Sequence, residues 1–447
     1  MLGMALAFAD AIKSKYVFVA DIGKSFYFDT THWKLDKSEA QLNKLVMDFA
    51  LFLSKLAEQS TTGDDDTFAD LANTLLSPGS WASFIKAYKA CRFVEYAKLD
   101  SDGSQRDNLG LFNYLNGTLD LNTIEHRETR HSDYITKVSN VQYAPAAKCE
   151  EWDTFVDEIM CSDKELAKYL QKACGYALTA DTRLECMFFL YGPKTRNGKS
   201  TFVDTLLNVF GDYGKSVQPA TIAQRGTSNG SSPNSDVARL VGSRFVSISE
   251  PPAGFNMDGA RVKQITGNDK ITSRFLFGEF FEYTPNFKIF VNTNHLPSIN
   301  DDTLFASGRI KVIPFNNHFD EDQQNKELKH LFRKPENLSA ILNWLLEGLR
   351  LYKKEGLTEP QAVKDAIKDY RESSDLVSIF FSSRIEECTT PEKIKRGEFY
   401  AAYSAWCSEN YMSTISRNDF YSVLKRKYKV VRDGKLGYCV EGYKLKE

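Results

Sequence analysis

Residues 186–210 read CMFFLYGPKTRNGKSTFVDTLLNVF, and their pattern indicates the fold class. An apolar run typical of a buried strand leads into a glycine-containing loop, which is followed by an amphipathic helical pattern. The loop ends in Gly198-Lys199-Ser200-Thr201, the tetrad of a phosphate-binding loop. The order of strand, loop and helix predicts an α/β fold in which backbone N–H groups at the start of the helix bind phosphate oxygens.

The predicted loop has five residues between Gly192 and Gly198, where the common pattern has four. We expect Lys199 to reach the β- and γ-phosphates of ATP and the Ser200 hydroxyl to ligate Mg²⁺. The plainer interpretation, a glycine-containing turn between a strand and a helix, does not account for the complete tetrad. The expected nucleotide-binding residues are Gly192, Pro193, Lys194, Thr195, Arg196, Asn197, Gly198, Lys199, Ser200 and Thr201.

Three polar residues downstream complete the predicted catalytic set. Residues 244–250 predict a strand ending at Glu250, which we assign as general base and indirect Mg²⁺ partner. Residues 287–294 end at Asn294, whose amide can hydrogen-bond a γ-phosphate and the attacking water. Arg309 precedes another apolar run, and an arginine at a subunit edge can reach a neighbour's γ-phosphate. A solvated glutamate, an asparagine turn and a surface salt bridge are the plainer interpretations of these three residues.

The composition fits a soluble globular protein. The chain has 447 residues, of which 42% are hydrophobic and 26% charged, and its length predicts two or three domains. No apolar run approaches the ~20 residues needed to cross a bilayer, and the N-terminus lacks the pattern of a signal peptide. The eight cysteines never form a C-x-x-C pair, which argues against a zinc ribbon or a disulfide framework and favours reduced thiols in a cytoplasm. The net charge of −2 identifies no partner.

Periodicity and turn residues divide the chain into three predicted domains. The first, 1–180, is mixed and ends in two helices over 152–180, the second of them capped by Ser162. The second domain, 181–320, contains the phosphate loop and the strands that follow it. The third, 321–447, is helical and ends in two helices and a hairpin. Hairpins are also predicted within 107–145, and polar loops at 63–66 and 224–236.

The C-terminal segment 421–447 is locally basic, with eight Lys or Arg and three Asp or Glu, a net charge of 8 − 3 = +5. A basic helix followed by a hairpin with an Asp433-Gly434 turn is typical of a winged helix. Five cations there could contact DNA phosphates, although the helix dipole also favours lysines at a helix C-terminus. These cations are Lys425, Arg426, Lys427, Arg432 and Lys435.

One further block points to a known family. Residues 262–274, VKQITGNDKITSR, with 275–285, FLFGEFFEYTP, resemble the motif that superfamily 3 helicases carry between their second and third ATPase motifs. The chain most resembles the phage and plasmid branch, which includes the satellite-phage and poxvirus primase–helicases. Motifs at 116–121 (NGTLDL), 134–137 (YITK) and 399–406 (FYAAYSAW) extend the resemblance over most of the chain.

The resemblance implies an AAA+-type P-loop ATPase core with a parallel sheet. A mostly helical domain, the collar of a ring, would precede the core, and helices with a winged-helix-like tail would follow it. The implied function is a hexameric, ring-forming replicative DNA helicase of a phage, plasmid or mobile element, which uses ATP and Mg²⁺ on single-stranded and forked DNA in a bacterial cytoplasm. The block would form a hairpin in the ring's channel, where Lys263, Lys270 and Arg274 grip DNA phosphates. An ordinary solvated hairpin is the plainer interpretation.

Three departures from the family pattern concern the site. The loop has one extra residue, Gly267-Asn268-Asp269 replaces Gly-Gly-Asp, and FASGR at 305–309 replaces Trp-Arg-Arg. No primase motif is present in the sequence, so we expect either a stand-alone helicase or the helicase part of a longer protein with a separate or fused primase or polymerase. Two other functions stay open. One is an origin-binding replication initiator in which ATP acts as an assembly switch, and the other is a P-loop kinase or packaging motor, which would need neither Asn294 nor the hairpin block.

Overall fold

A computed structural model describes residues 2–59, 65–100, 109–223, 235–274, 280–299, 301–388, 393–410 and 414–446. The predicted polar loop at 224–236 lies almost entirely outside these ranges, and so do residues 275–279 of the hairpin block.

The N-terminal region combines helices with two small antiparallel sheets. Its elements are α1 (Leu2–Ile12), β1 (Tyr16–Val19), β2 (Lys24–Phe28), β3 (Trp33–Leu35), α2 (Ala40–Gln59), α3 (Asp65–Leu76), α4 (Trp81–Cys91), β4 (Leu111–Tyr114), β5 (Gly117–Asp120) and β6 (Glu125–Arg127). Buried Phe8, Val46 and Phe84 join α1, α2 and α4 in one apolar cluster. The hairpins predicted within 107–145 are confirmed. Of the loop predicted at 63–66, residues 63 and 64 lie outside the described residues, and α3 begins at Asp65.

Two helices follow as predicted, α5 (Glu150–Ile159) and α6 (Lys164–Ala177). The prediction that Ser162 caps α6 is wrong. Asp163 is the cap, since its carboxylate accepts a hydrogen bond from the Leu166 N–H at 3.0 Å. Ser162 has a left-handed backbone with φ 58°, and its hydroxyl donates instead to Asp157.

The central region is a parallel sheet with helices on both faces. Its elements are β7 (Met187–Tyr191), α7 (Lys199–Phe210), β8 (Gly214–Val217), α8 (Ser235–Ala238), β9 (Phe245–Ser249), β10 (Asn256–Met257), α9 (Gly259–Thr266), β11 (Ile271–Ser273), β12 (Phe281–Tyr283), β13 (Lys288–Thr293), β14 (Ser298–Ile299), α10 (Thr303–Ala306) and β15 (Ile310–Pro314). The five-stranded sheet has the order β15-β7-β13-β9-β8, and all its pairs are parallel. The predicted α/β class with a parallel sheet and a P-loop-type core is confirmed.

The register of the sheet decides which loops meet. Met187 lies beside Ile289 on one side and Ile310 on the other, so β7, β13 and β15 begin together. Their carboxyl ends therefore lie at one edge, and in parallel sheets this is the edge where ligands bind. The amino ends, including the residue before β15, lie at the opposite edge.

The remaining elements follow the central sheet in the chain. They are α11 (Leu328–Leu331), α12 (Pro335–Glu355), α13 (Gln361–Ser374), α14 (Leu376–Arg384), β16 (Ile385–Glu387), β17 (Lys393–Lys395), α15 (Arg396–Glu409), α16 (Arg417–Lys427), β18 (Val430–Asp433), β19 (Gly437–Glu441) and β20 (Tyr443–Leu445). The predicted C-terminal helix, helix and hairpin are α15, α16 and β18–β19, and buried Phe380, Tyr403 and Phe420 give them an apolar cluster of their own. No helix in the described ranges is long and apolar enough to span a bilayer.

Helices α6 and α12 cross in very close contact. A Cβ on Gly348 would lie 2.1 Å from the Gln171 carbonyl oxygen, and one on Gly175 would lie 2.2 Å from the Leu349 nitrogen. One apolar cluster, separate from the two described above, extends from α5 and α6 through the sheet to α12. The domain boundaries at 180 and 320 stay predictions, and this cluster crosses both of them.

Replacing Gly348 with alanine should lower the free energy of unfolding by about 1–3 kcal/mol, because the added methyl group overlaps backbone atoms of α6. Gly397→Ala in α15 is the control, since its Cβ would be 3.8 Å from its nearest neighbour, Tyr421 Oη. The control should be neutral or slightly stabilising. Urea unfolding measures both variants, and equal midpoints would contradict the close crossing.

Candidate functional site

Close packing against α5 and against Phe315, the residue after β15, shapes the phosphate loop. Gly198 starts α7 with φ 81°, a left-handed conformation that favours glycine. A Cβ at this position would lie 2.4 Å from Ile159 Cγ2 of α5. A Cβ on Gly192 would lie 2.4 Å from the Phe315 carbonyl oxygen. Both predicted glycines are therefore required by the space available.

The ammonium group of Lys199 is held at the centre of the loop. Its Nζ donates hydrogen bonds to Gly192 O at 3.2 Å, to Asn197 Oδ1 at 3.0 Å and to Asn294 Oδ1 at 2.7 Å. The side chain is 4% exposed. Burial lowers the pKa of Lys199 to about 8, and the Glu250 carboxylate partly opposes this effect. In this arrangement neutral oxygens hold a cation that has no carboxylate bound to it among the described residues.

The predicted Glu250 and Asn294 lie beside each other at the same sheet edge as the loop. Glu250 follows β9 with φ 49°, is exposed, and its N–H donates to Asn292 O at 2.8 Å. Asn294 directly follows β13, the strand between β9 and β7. The sheet therefore brings Lys199, Glu250 and Asn294 to one edge, and their catalytic roles stay predictions.

Asn292 is a site residue that sequence reasoning misses. Its Nδ2 is 3.4 Å from Ser200 Oγ, at the start of α7. The sequence contains a signal for Asn292, because alternation along a strand places residues 292 and 294 on the same face. No group of three or more His, Cys, Asp or Glu that could hold a metal ion occurs among the described residues. An exposed Ser200 hydroxyl nevertheless fits Mg²⁺, which often takes one or two protein ligands with phosphates and waters.

The outer part of the loop consists of exposed Pro193, Lys194, Thr195 and Arg196. Arg196 has φ 56°, and its carbonyl accepts the Phe319 N–H at 2.9 Å, so the segment after β15 fixes the loop. A cleft of about 690 Å³ opens beside it, between α5 and residues 319–329. The cleft is lined among others by Phe155, Gly198, Thr201, Phe319 and Gln324.

Arg309 lies at the opposite edge of the sheet. Its carbonyl accepts the Met187 N–H at 2.8 Å, at the start of β7. A five-residue strand spans about 16 Å, and this length separates Arg309 from the loop of its own chain. Its guanidinium forms an ion pair with Glu185 and donates to Thr266 Oγ1 at 2.9 Å. Within one chain, the structure does not bring Arg309 to the other three predicted catalytic residues.

The hairpin block forms the antiparallel pair β11–β12, as the resemblance implies. Lys270 lies immediately before β11 and is exposed. Arg274 lies immediately after β11, is half-buried, and its guanidinium is 4.7 Å from the Phe280 ring centre. Lys263 lies in α9 instead and forms an ion pair with Asp301 at 2.6 Å.

The structure divides the predicted basic residues of the tail. Lys425, Arg426, Arg432 and Lys435 are exposed. Lys427 forms an ion pair with Asp375, between α13 and α14, and donates to Ser378 Oγ at 2.8 Å. Lys427 therefore holds α16 against the rest of the molecule, while the hairpin cations face solvent.

Comparison with known proteins adds two family matches. A model described as D5 N-terminal-like matches residues 5–161. A model for a family of unknown function, DUF5906, matches residues 190–309, which include all four predicted catalytic residues.

Three viral relatives carry names that describe them as candidate helicases. L207/L206 of Acanthamoeba polyphaga mimivirus is 27% identical over 341 residues, which are 71% of this chain and 35% of the relative. 121R of Invertebrate iridescent virus 3 is 24% identical over 392 residues, 79% of this chain and 41% of the relative. V13 of the Sputnik virophage is 25% identical over 282 residues, and the match covers 59% of this chain and 35% of the relative. The chain thus spans 35% to 41% of the lengths of these relatives.

Among solved structures, the apo C-terminal region of NrS-1 is similar to this chain with a TM-score of 0.53 and 11% sequence identity. The similarity covers 98% of this chain and 99% of that one. At 11% identity, this match is evidence for the fold alone.

Binding of tripolyphosphate at about pH 9 should take up about one proton per site, because free Lys199 is mostly neutral there and becomes charged beside phosphate. At about pH 6.5 Lys199 is already protonated and contributes no uptake. Calorimetry in buffers of different ionisation enthalpy measures the uptake. Glu250→Gln removes the carboxylate that raises this pKa, so uptake should extend to lower pH. Binding without uptake at about pH 9 would contradict the low pKa of Lys199.

Proposed function

We propose that this chain is a DNA helicase driven by ATP hydrolysis, because it belongs to the phage-type primase–helicase family. The observation that supports this most directly is the convergence of Lys199, Asn294 and Glu250 at one sheet edge. Three successive parallel strands, β7, β13 and β9, place these residues together. Within the wider family we assign the chain to superfamily 3 and its core to the AAA+ type.

Each residue of the site would have its own role towards the triphosphate. Phosphate oxygens replace the three neutral acceptors of Lys199, and the N–H groups at the start of α7 bind the same phosphates. Glu250 polarises the attacking water, and Asn294, once released by Lys199, orients it against the γ-phosphate. Ser200 would ligate Mg²⁺, which neutralises phosphate charge. The cleft beside Gly198 has room for the nucleoside.

The position of Arg309 supports a site shared between copies of the chain. It lies a strand length from its own loop, so its guanidinium would complete the site of a neighbouring subunit. Repeated around a closed ring, this arrangement gives every subunit one loop and one arginine. We propose a hexamer.

Hairpin β11–β12 would bind the DNA strand inside such a ring. Lys270 and Arg274 stand one strand length apart on it and supply charge for backbone phosphates. Single-stranded and forked DNA are the proposed substrates, and the winged-helix-like tail would bind duplex DNA nearby.

A second candidate is an origin-binding initiator in which ATP controls assembly. The exposed cations Lys425, Arg432 and Lys435 of the tail favour it, because they offer a duplex-binding surface independent of the hairpin.

Strand displacement on a forked duplex with ATP tests the proposed activity, together with the native mass of the assembly. Lys199→Ala should reduce ATP hydrolysis by about 100-fold or more and abolish displacement, because phosphate loses its central cation. Lys364→Ala is the control, an exposed lysine of α13 outside the loop, and should keep both activities. Full turnover in Lys199→Ala would reject the site, and a fully active monomer would reject the ring.

The double variant Lys270→Ala/Arg274→Ala separates the two candidate functions. A translocating helicase should lose strand displacement and keep hydrolysis in the absence of DNA, since the loop is untouched. Lys263→Ala is the comparison and should lose less, because Asp301 already pairs with this lysine. Displacement that survives the double variant, with duplex binding intact, would favour the initiator.

A further inference from the structure

A tight turn at residues 182–185 stands immediately before β7. The Glu185 N–H donates to the Thr182 carbonyl at 2.8 Å, and Glu185 has φ 45°. Only Cys186 separates this turn from β7, the strand that leads into the phosphate loop, so a movement of the turn would be transmitted directly to that strand.

The turn contacts both ends of the hairpin. Thr182 Oγ1 donates to Asn268 Oδ1 at 2.6 Å, and Asn268 precedes β11. The same hydroxyl is 3.4 Å from the carbonyl oxygen of Pro285, which follows β12. The two strands of the hairpin are thus fixed at their base by one residue of the turn.

The carboxylate of Glu185 has two partners. Oε2 forms the ion pair with Arg309, and Oε1 accepts a hydrogen bond from Asn268 Nδ2 at 3.2 Å. The Arg309 guanidinium also contacts the Glu185 carbonyl at 3.2 Å and Thr266 Oγ1 at 2.9 Å. One side chain therefore connects the arginine to the base of the hairpin.

We propose that Glu185 is a positioning residue that couples Arg309 to the hairpin, an inference that rests on the proposed helicase function. In one state Arg309 is held by Glu185, and in the other its guanidinium binds the phosphates of a neighbour's nucleotide. The second state leaves Glu185 and Asn268 without the arginine, so the base of the hairpin loses a fixed contact. Coupling of this kind is reciprocal, and DNA bound to the hairpin must therefore bias the position of Arg309.

The test compares Glu185→Ala with Glu359→Ala. Glu359 pairs with Lys311 on β15, the strand that Arg309 precedes, and no hydrogen bond or ion pair among the described residues joins Glu359 to the hairpin. Its side chain is 26% exposed and that of Glu185 is 37% exposed, so the two carboxylates are similarly accessible. The readouts are base pairs displaced per ATP hydrolysed and the stimulation of hydrolysis by single-stranded DNA.

Glu185→Ala should lower base pairs displaced per ATP by about fivefold or more, the lower range of typical coupling between sites. Hydrolysis without DNA should persist, because Arg309 itself is unchanged. Glu359→Ala should leave the ratio unchanged. An equal ratio in the two variants would overturn the proposal.

Asn268→Ala provides a second variant that leaves the ion pair with Arg309 in place. Its side chain is exposed, so the fold should tolerate the change, and the same loss of coupling is expected. The combination with Glu185→Ala should cost no more than either change alone. Normal coupling in Asn268→Ala would also overturn the proposal. An unchanged chain that displaces no strand rejects the proposed function itself, whereas a working chain with unaffected variants rejects only this inference.

Discussion

The in-register pairing of β7 with β13 and β15 is the constraint on which the rest of the molecule depends. It holds the phosphate loop, Glu250 and Asn294 at one edge and the Arg309 side chain at the other. Since strands of five or six residues do not bend appreciably, the distance between the two edges is fixed. Lys199 and Arg309, the two cations proposed to bind phosphate, therefore lie at opposite edges, and one nucleotide would not contact both from the same copy.

The region before the sheet takes part in shaping the site. Ile159 of α5 supports the backbone at Gly198, and α6 is locked to α12 by glycines that allow backbone contact. Trp152 stacks on Phe202 of α7 with ring centres 5.6 Å apart. The helices predicted as a collar are thus packed on α7, the helix that follows the phosphate loop of their own chain. A force on these helices would reach the loop through van der Waals contact, without a flexible connection.

Local patterns predict the loop and the strands that follow it, because each needs only neighbours in sequence. The contact between Lys199 and Asn294 is also predictable, since neighbouring parallel strands end at the same edge. The partners of Arg309 are not predictable in this way. Glu185 comes close to it only because β15 pairs with β7, and no sequence pattern determines which strands become neighbours. The same limit applies to Lys427, which reads as a free cation at a helix end and is instead committed to an ion pair.

The two cations proposed to bind phosphate have different partners, and this difference would give the proposed cycle its direction. The Lys199 ammonium is buried and hydrogen-bonded to neutral oxygens, so a bound phosphate would bring a negative charge into direct contact with it. Arg309 already has a carboxylate partner, and a phosphate must compete with Glu185 for it. The ion pair is partly exposed, with Arg309 15% and Glu185 37% accessible, and exposed pairs contribute little to stability. In the proposed cycle, nucleotide would therefore bind first at the loop of one subunit, and the arginine of its neighbour would follow without a large cost in free energy.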